Sequence, residues 1–206
     1  MKKKLIKVCG LTNEKDLVFC QDQGINLTGF IFHPPSPRFI DPDKVGGWKK
    51  RHEFRVGVFV NRDIEEILHI MKTAKLDLVQ LHGGQDKEFC RKIGPERVMR
   101  VFWPEKYDSV EDFKRELKRF TDVCSYFLLD AGTSSGGHGR SIASPWLGDL
   151  RIAKPWLLAG GLGPDNIKDV LNLGMTGLDL NSGVETSPGV KDHDKITQVM
   201  KILAES

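Results

Sequence analysis

Two side chains stand out by type and by position. Cys9 follows the run Ile6-Lys7-Val8, and Asp130 closes Tyr126-Phe127-Leu128-Leu129. A thiolate accepts protons and a carboxylic acid donates them, so the pair could act as base and acid in a proton-transfer reaction. A carboxyl group at an apolar mouth holds its proton more tightly than one in water. A strand-end thiol beside a cation or a helix terminus ionises more readily. Each residue also has a plainer use, Cys9 as a small buried hydrophobe and Asp130 as a helix cap. Cys20, Cys90 and Cys124 have no comparable placement and read as packing residues.

Anion-binding chemistry is suggested by three glycine-rich stretches. Gly160-Gly161-Leu162-Gly163-Pro164 leads from an apolar run toward a helical segment, and Asn181-Ser182-Gly183 ends another apolar run. Glycines let the backbone approach a phosphate closely and present N–H donors to it, and a helix N-terminus adds a favourable dipole. The alternative is that they only make tight turns. A third stretch, Ser135-Gly136-Gly137-His138-Gly139-Arg140-Ser141, is either a lid whose amides at Gly136, Gly137 and Gly139 face the same phosphate or a surface loop. Arg38 lies in a proline-stiffened segment with few acidic residues nearby in sequence. Its planar fork suits a carboxylate, or it is a solvated loop arginine. His82 could polarise a substrate group or be a hydrogen-bonded structural histidine. The remaining histidines, His33, His52, His69, His138 and His193, share no metal-ligand spacing with the cysteines, so no metal is expected.

The elements that would carry these residues alternate from end to end. Apolar, β-rich runs occupy 5–8, 28–32, 55–60, 78–82, 97–103, 126–130, 156–160 and 177–180. Several are apolar nearly throughout, as strands covered on both faces should be. Between them lie stripes at helical spacing: Ile64, Ile67, Leu68 and Met71; Val110, Phe113, Leu117 and Phe120; Ile196, Val199, Met200 and Leu203. Thr12 or Asn13 can open the first helix and Gly24 close it. Pro164 suits a first helical turn, with Gly174 after the same helix. Eight strand–helix units in 206 residues predict an α/β fold, a compact (β/α)₈ barrel forming a single domain over 1–206. An open doubly wound sheet is the rival, but no Gly-x-Gly-x-x-Gly follows the first strand. In such a barrel chemistry gathers at the C-terminal ends of the strands, and phosphate in the loops after strands seven and eight. Cys9, Arg38, His82, Asp130, Gly160, Gly161, Asn181, Ser182 and Gly183 all fall at or just after those ends.

Composition removes several other classes. A net charge of +3 is too small to argue for nucleic acid, although a slight positive bias suits an anionic substrate. Lys2-Lys3-Lys4 reads as a solvated lead-in to the first strand. No apolar run approaches the ~20 residues of a membrane span. No hydrophobic stretch typical of a signal peptide follows the first lysines. Unpaired cysteines fit a reducing cytoplasm.

Longer motifs carry a family resemblance. They are Lys7-Val8-Cys9-Gly10-Leu11-Thr12; Gly29-Phe30-Ile31-Phe32 with Ser36-Pro37-Arg38; Val56-Gly57-Val58-Phe59-Val60-Asn61; and Val79-Gln80-Leu81-His82-Gly83. Further along come Leu128-Leu129-Asp130; Leu158-Ala159-Gly160-Gly161-Leu162 with Pro164-Asp165-Asn166; Asp179-Leu180-Asn181-Ser182-Gly183-Val184-Glu185; and Pro188-Gly189-Val190-Lys191-Asp192. Together, in this order, they resemble the phosphoribosylanthranilate isomerases of tryptophan biosynthesis. The resemblance implies a cofactor-free (β/α)₈ enzyme that performs an Amadori rearrangement of a phosphoribosyl anthranilate. By that resemblance Cys9 is the general base, Asp130 the general acid, Arg38 the anthranilate-carboxylate ligand and the glycine loops the phosphate grip. His138 stands where the family has a small hydroxyl residue, and Asn181 where it often has Ser. The family's aromatic near Ile142 and its Asp before the following tryptophan are also missing. These departures touch the lid and the phosphate rim. The implied partner is the small-molecule substrate, with neither nucleic acid nor membrane, and the protein is expected to be a monomer or homodimer. The rival readings are another phosphosugar isomerase or epimerase on the same barrel, disfavoured by Cys9 where the histidine-pathway isomerase has an aspartate, and a non-catalytic phosphoribosyl-binding barrel.

Overall fold

The computed structural model describes residues 4–131 and 147–206. Eight parallel strands close into a barrel in sequence order: β1 (Leu5–Val8), β2 (Leu27–Ile31), β3 (Phe54–Phe59), β4 (Leu78–Leu81), β5 (Val98–Phe102), β6 (Tyr126–Asp130), β7 (Trp156–Ala159) and β8 (Gly177–Leu180). β1 pairs with both β2 and β8, with Lys7 opposite Asp179 in the closing ladder. A closed sheet has no exposed edge. The open-sheet alternative is thereby excluded.

Alternation along each strand sorts the side chains into two cores. Leu27, Val56, Leu78, Met99, Val101, Leu128, Leu157 and Ala159 cluster inside the barrel. The opposite faces, including Ile6, Val8, Phe30, Phe59, Val79, Phe102, Leu129 and Leu158, pack under the helices. The strand runs are apolar nearly throughout because both faces are buried.

Among the described residues the α-helices are α1 (Glu14–Asp22), α2 (Pro42–Gly47), α3 (Ile64–Thr73), α4 (Lys87–Ile93), α5 (Val110–Phe120), α6 (Ile167–Val170) and α7 (His193–Ala204). α1 is opened by Asn13, whose side chain accepts from the Asp16 N–H. Thr12 bonds instead to the Gly189 carbonyl. α5 buries Phe113, Leu117 and Phe120, each worth about 1.5–3 kcal/mol of transfer free energy. In α3, Ile67 and Met71 are buried as the stripe predicts, but Leu68 is exposed. Between β6 and β7 the described residues include a 3₁₀ turn, Leu147–Asp149. One expectation, about the segment after β7, needs correction. After β7, Pro164 stands in a turn before α6, which has only four residues. A short hairpin, β9 (Glu185–Ser187) with β10 (Val190–Lys191), follows β8.

Candidate active site

The upper interior of the barrel is polar where the lower interior is apolar. Lys7 and Cys9 lie two residues apart on the inward face of the first strand, Asp130 follows inward Leu128 by two, and His82 follows Gln80 and Leu78 in the same way. Cys9 is buried, its N–H bonded to the Leu180 carbonyl. Gly29 of β2 makes its room, since a Cβ there would stand 2.8 Å from Cys9 Sγ. Asp130 ends β6 in register with Ala159.

Beneath Cys9 is an ion pair that the sequence reading did not single out. Lys7 Nζ donates to both Asp179 carboxylate oxygens, at 2.9 and 3.0 Å, and both side chains are buried. Burial pushes the Cys9 thiol up, while Lys7 and, further off, Lys191 pull it down. The net direction is upward, so the expected downward shift of a strand-end thiol is corrected: desolvation outweighs the cation. Asp179 is also pushed up by burial, against the pull of Lys7 and with a contribution from Asp130. His82, edge-on to Trp103 at 5.1 Å between ring centroids, is pushed down to about 4, by burial first and by Lys7 next. It is a neutral imidazole at pH 7, with a buried Nδ1 that takes no protein partner among the described residues.

Arg38 has an acidic partner that is remote in sequence. Its Nε donates to Glu185 Oε1 at 3.0 Å and its Nη2 to Oε2 at 2.7 Å. Gly10, at φ +73°, lets this loop close over β1; a Cβ at Gly10 would stand 2.8 Å from both Arg38 Cδ and Asn181 Oδ1. Asn181, expected on the phosphate rim, accepts from Lys191 Nζ through Oδ1 at 3.0 Å.

The loops after β7 and β8 pack backbone on backbone. A Cβ on Gly183 would meet the Leu162 carbonyl oxygen at 2.2 Å, and one on Gly163 the Gly183 oxygen at 2.5 Å. Asn166 fastens the first loop, accepting from Gly163 N–H and donating to the Gly161 carbonyl. Ser182–Val184 forms a 3₁₀ turn whose first internal bond is from Val184 N–H to Asn181 O. The Ser182 and Gly183 N–H groups precede that bond, the usual position of free donors. The dipole expected from the helix after β7 is slight, because α6 is a single turn. Gly136, Gly137, Gly139 and His138 lie outside the described residues.

An inward thiol and carboxyl group at one barrel mouth, an arginine at its rim and adjoining glycine loops after strands seven and eight match the arrangement expected of a phosphosugar isomerase. Residues 6–202 match the family model for N-(5'phosphoribosyl)anthranilate (PRA) isomerase. The chain belongs to that family. A curated N-(5'-phosphoribosyl)anthranilate isomerase from Maridesulfovibrio salexigens is 44% identical over 202 residues, covering 98% of both chains. The crystal structure of the phosphoribosyl anthranilate isomerase from Thermotoga maritima superposes with a TM-score of 0.83 at 33% identity, covering 98% of each chain. Another solved isomerase of the family, in complex with reduced 1-(o-carboxyphenylamino)-1-deoxyribulose 5-phosphate, gives a TM-score of 0.78 at 32% identity over 98% of each chain. Membership in this isomerase family bears out the family reading and the barrel expected from the sequence.

Proposed function

We propose that the chain isomerises N-(5'-phosphoribosyl)anthranilate to 1-(2-carboxyphenylamino)-1-deoxyribulose 5-phosphate, a step of tryptophan biosynthesis, with Cys9 as base and Asp130 as acid. The single barrel over 1–206 supplies both groups, so one chain holds the whole catalytic set as a monomer or within a homodimer. The reading rests on one observation above others: Cys9 and Asp130 end inward-facing rows of the same barrel mouth.

The chemistry follows from those positions. Asp130 gives its proton to the furanose ring oxygen; the C1'–O bond breaks and the anilino nitrogen lone pair forms the Schiff base. The Cys9 thiolate takes the C2' proton, and the C2'–H electron pair becomes the C1'=C2' bond of an enolamine, neutralising the iminium. Tautomerisation places a proton on C1' and leaves the ketone at C2'. Lys7, directly beneath Cys9, is the cation that favours the thiolate against the opposing effect of burial. Arg38 receives the anthranilate carboxylate, the Gly160-Gly161 and Ser182-Gly183 loops take the phosphate through N–H groups, and neutral His82 offers a hydrogen bond from the opposite wall. Asn181 shapes the phosphate loop through its bond to Lys191.

The test is loss of anthranilate-type fluorescence when the purified protein meets the substrate. Turnover is expected, with Cys9→Ser and Asp130→Asn each lowering kcat by roughly 10²–10⁴ fold and leaving substrate affinity nearly unchanged. A Cys9→Ser protein with near-normal kcat would move the base elsewhere, to His82 first. Turnover of a histidine-pathway phosphoribosyl substrate in place of the anthranilate would overturn the assignment.

A further inference from the structure

The hairpin after β8 holds a charged cluster that the reaction scheme leaves unused. Glu185, buried at the start of β9, accepts from Arg38 through both oxygens, from Lys191 Nζ at 2.7 Å and from the Gly189 N–H at 3.1 Å. Lys191 is buried in β10 and also reaches Asn181, at 3.0 Å to Oδ1 and 3.4 Å to the carbonyl oxygen. One ammonium group therefore joins the end of strand eight, beside the phosphate loop, to the arginine of the β2 loop. Thr12, after β1, ties the hairpin tip down through the Gly189 carbonyl.

Two physical consequences follow. Arg38 has its Nε/Nη2 edge fixed by Glu185, and among the described residues Nη1 takes no partner, so its second edge, Nη1 with Nη2, is left directed by that anchor. A fork–fork pair needs both of its N–H bonds in one plane, and a long side chain already held loses less freedom on binding. The anchor has an electrostatic cost, because an ionised Glu185 cancels the charge of Arg38 and a neutral pair attracts an anion weakly. Lys191 restores one net positive charge to the trio.

We propose that Glu185 and Lys191 are positioning residues of the carboxylate grip: Glu185 orients the free edge of Arg38, and Lys191 supplies the positive charge that Glu185 cancels. The inference rests on the reading that Arg38 meets the anthranilate carboxylate. It assigns aryl-carboxylate selectivity to a hairpin that contributes neither the acid nor the base.

The experiment measures binding of two stable ligands, the reduced deoxyribulose-phosphate product analogue and the same molecule without its carboxyl group. Binding is the readout because Lys191 also lies near Cys9, and turnover would mix the two effects. Arg38→Ala should abolish the preference for the carboxylated ligand. Glu185→Gln and Lys191→Met should each reduce that preference about tenfold, with the carboxyl-free ligand changed less than threefold. Lys191→Arg, which keeps the charge, should retain most of it. In Glu185→Gln the lost orientation outweighs the gained charge, because the fork contact is short-ranged. Retained binding of the carboxyl-free ligand reports a folded barrel. If Lys191→Met does not fold, Glu185→Gln decides alone. An unchanged preference in Glu185→Gln beside a lost one in Arg38→Ala overturns the proposal, as does equal weakening of both ligands. A preference that survives Arg38→Ala shows instead that the carboxylate reading of Arg38 is wrong, and the inference falls with it.

Discussion

Lys7 and Arg55 are both fully buried cations on barrel strands, yet they face opposite sides of the sheet and have different partners. Arg55 points outward under the helices. Its Nη1 donates to the Val45 carbonyl at 2.8 Å and the Ala74 carbonyl at 3.5 Å, and its Nη2 to the Trp48 carbonyl at 3.0 Å. Trp48 and Ala74 cap the C-terminal ends of α2 and α3, so the guanidinium neutralises helix ends that would otherwise hold orphan carbonyls. Glu53 stands 3.7 Å from Nε. Lys7 points into the barrel, and its partners among the described residues are one carboxylate and, above it, a thiol. A buried charge bonded mainly to backbone carbonyls holds the fold together. A buried charge facing titratable side chains governs protons.

The largest effect expected from that contrast is on stability, at Arg55. Arg55→Met leaves Glu53 buried without its cation and takes the guanidinium donor from the Ala74 and Trp48 carbonyls, which should cost about 3–5 kcal/mol. Activity per folded molecule should be nearly unchanged. Denaturant titration with parallel kcat measurement checks both halves; a large kcat loss with intact stability would erase the distinction.

Lys7→Gln should show the reverse pattern. Asp179, already pushed up by burial, can take a proton and so avoid standing as an orphan charge. The stability loss should therefore be less than half that of Arg55→Met. Cys9, deprived of its nearest cation, should be harder to ionise, lowering kcat at neutral pH by roughly tenfold to a hundredfold, one to two units of thiol shift. Site-resolved alkylation by iodoacetamide, followed at the Cys9 peptide as a function of pH, reads this directly. An unchanged Cys9 alkylation profile would mean that Lys7 only packs.

The same contrast explains what was legible in the sequence. Strand positions were readable because both faces are buried, and the strand ends pointed to Cys9, His82 and Asp130. Lys7 and Asp179 were hidden as single charges inside apolar runs. The signal was present, since Lys7 shares a face with Cys9 by alternation. Glu185 and Lys191 were visible as motif letters without a role, because the Arg38–Glu185 pair joins residues 147 positions apart and no local acid search reaches that far. Asn13 was readable as a cap from local chemistry. The length of α6 was not, because a single turn is set by how the loop packs against Gly183 and not by helical periodicity.

The smallest expected effect concerns His82, a half-buried titratable group whose charged neighbours are Lys7 and Asp179 inside the barrel, Lys106, and Arg100 on the outer face of β5. In the unfolded chain an imidazole takes its proton near about 6.5. In the folded barrel burial, then the Lys7 charge, holds it down to about 4. Between those values the unfolded state binds more protons, so stability falls as pH falls through that window and is fully present above it. His82 is part-exposed at the mouth, so the contribution is about 1–3 kcal/mol and not the whole of the shift. His82→Gln lacks the titration. Its melting temperature should therefore fall less than that of the wild type between pH 6.5 and 4, while other carboxylates titrate equally in both proteins. Parallel melting curves would refute a neutral His82, and with it the comparison between a cation that sets the protonation of its neighbours and one that only binds helix ends.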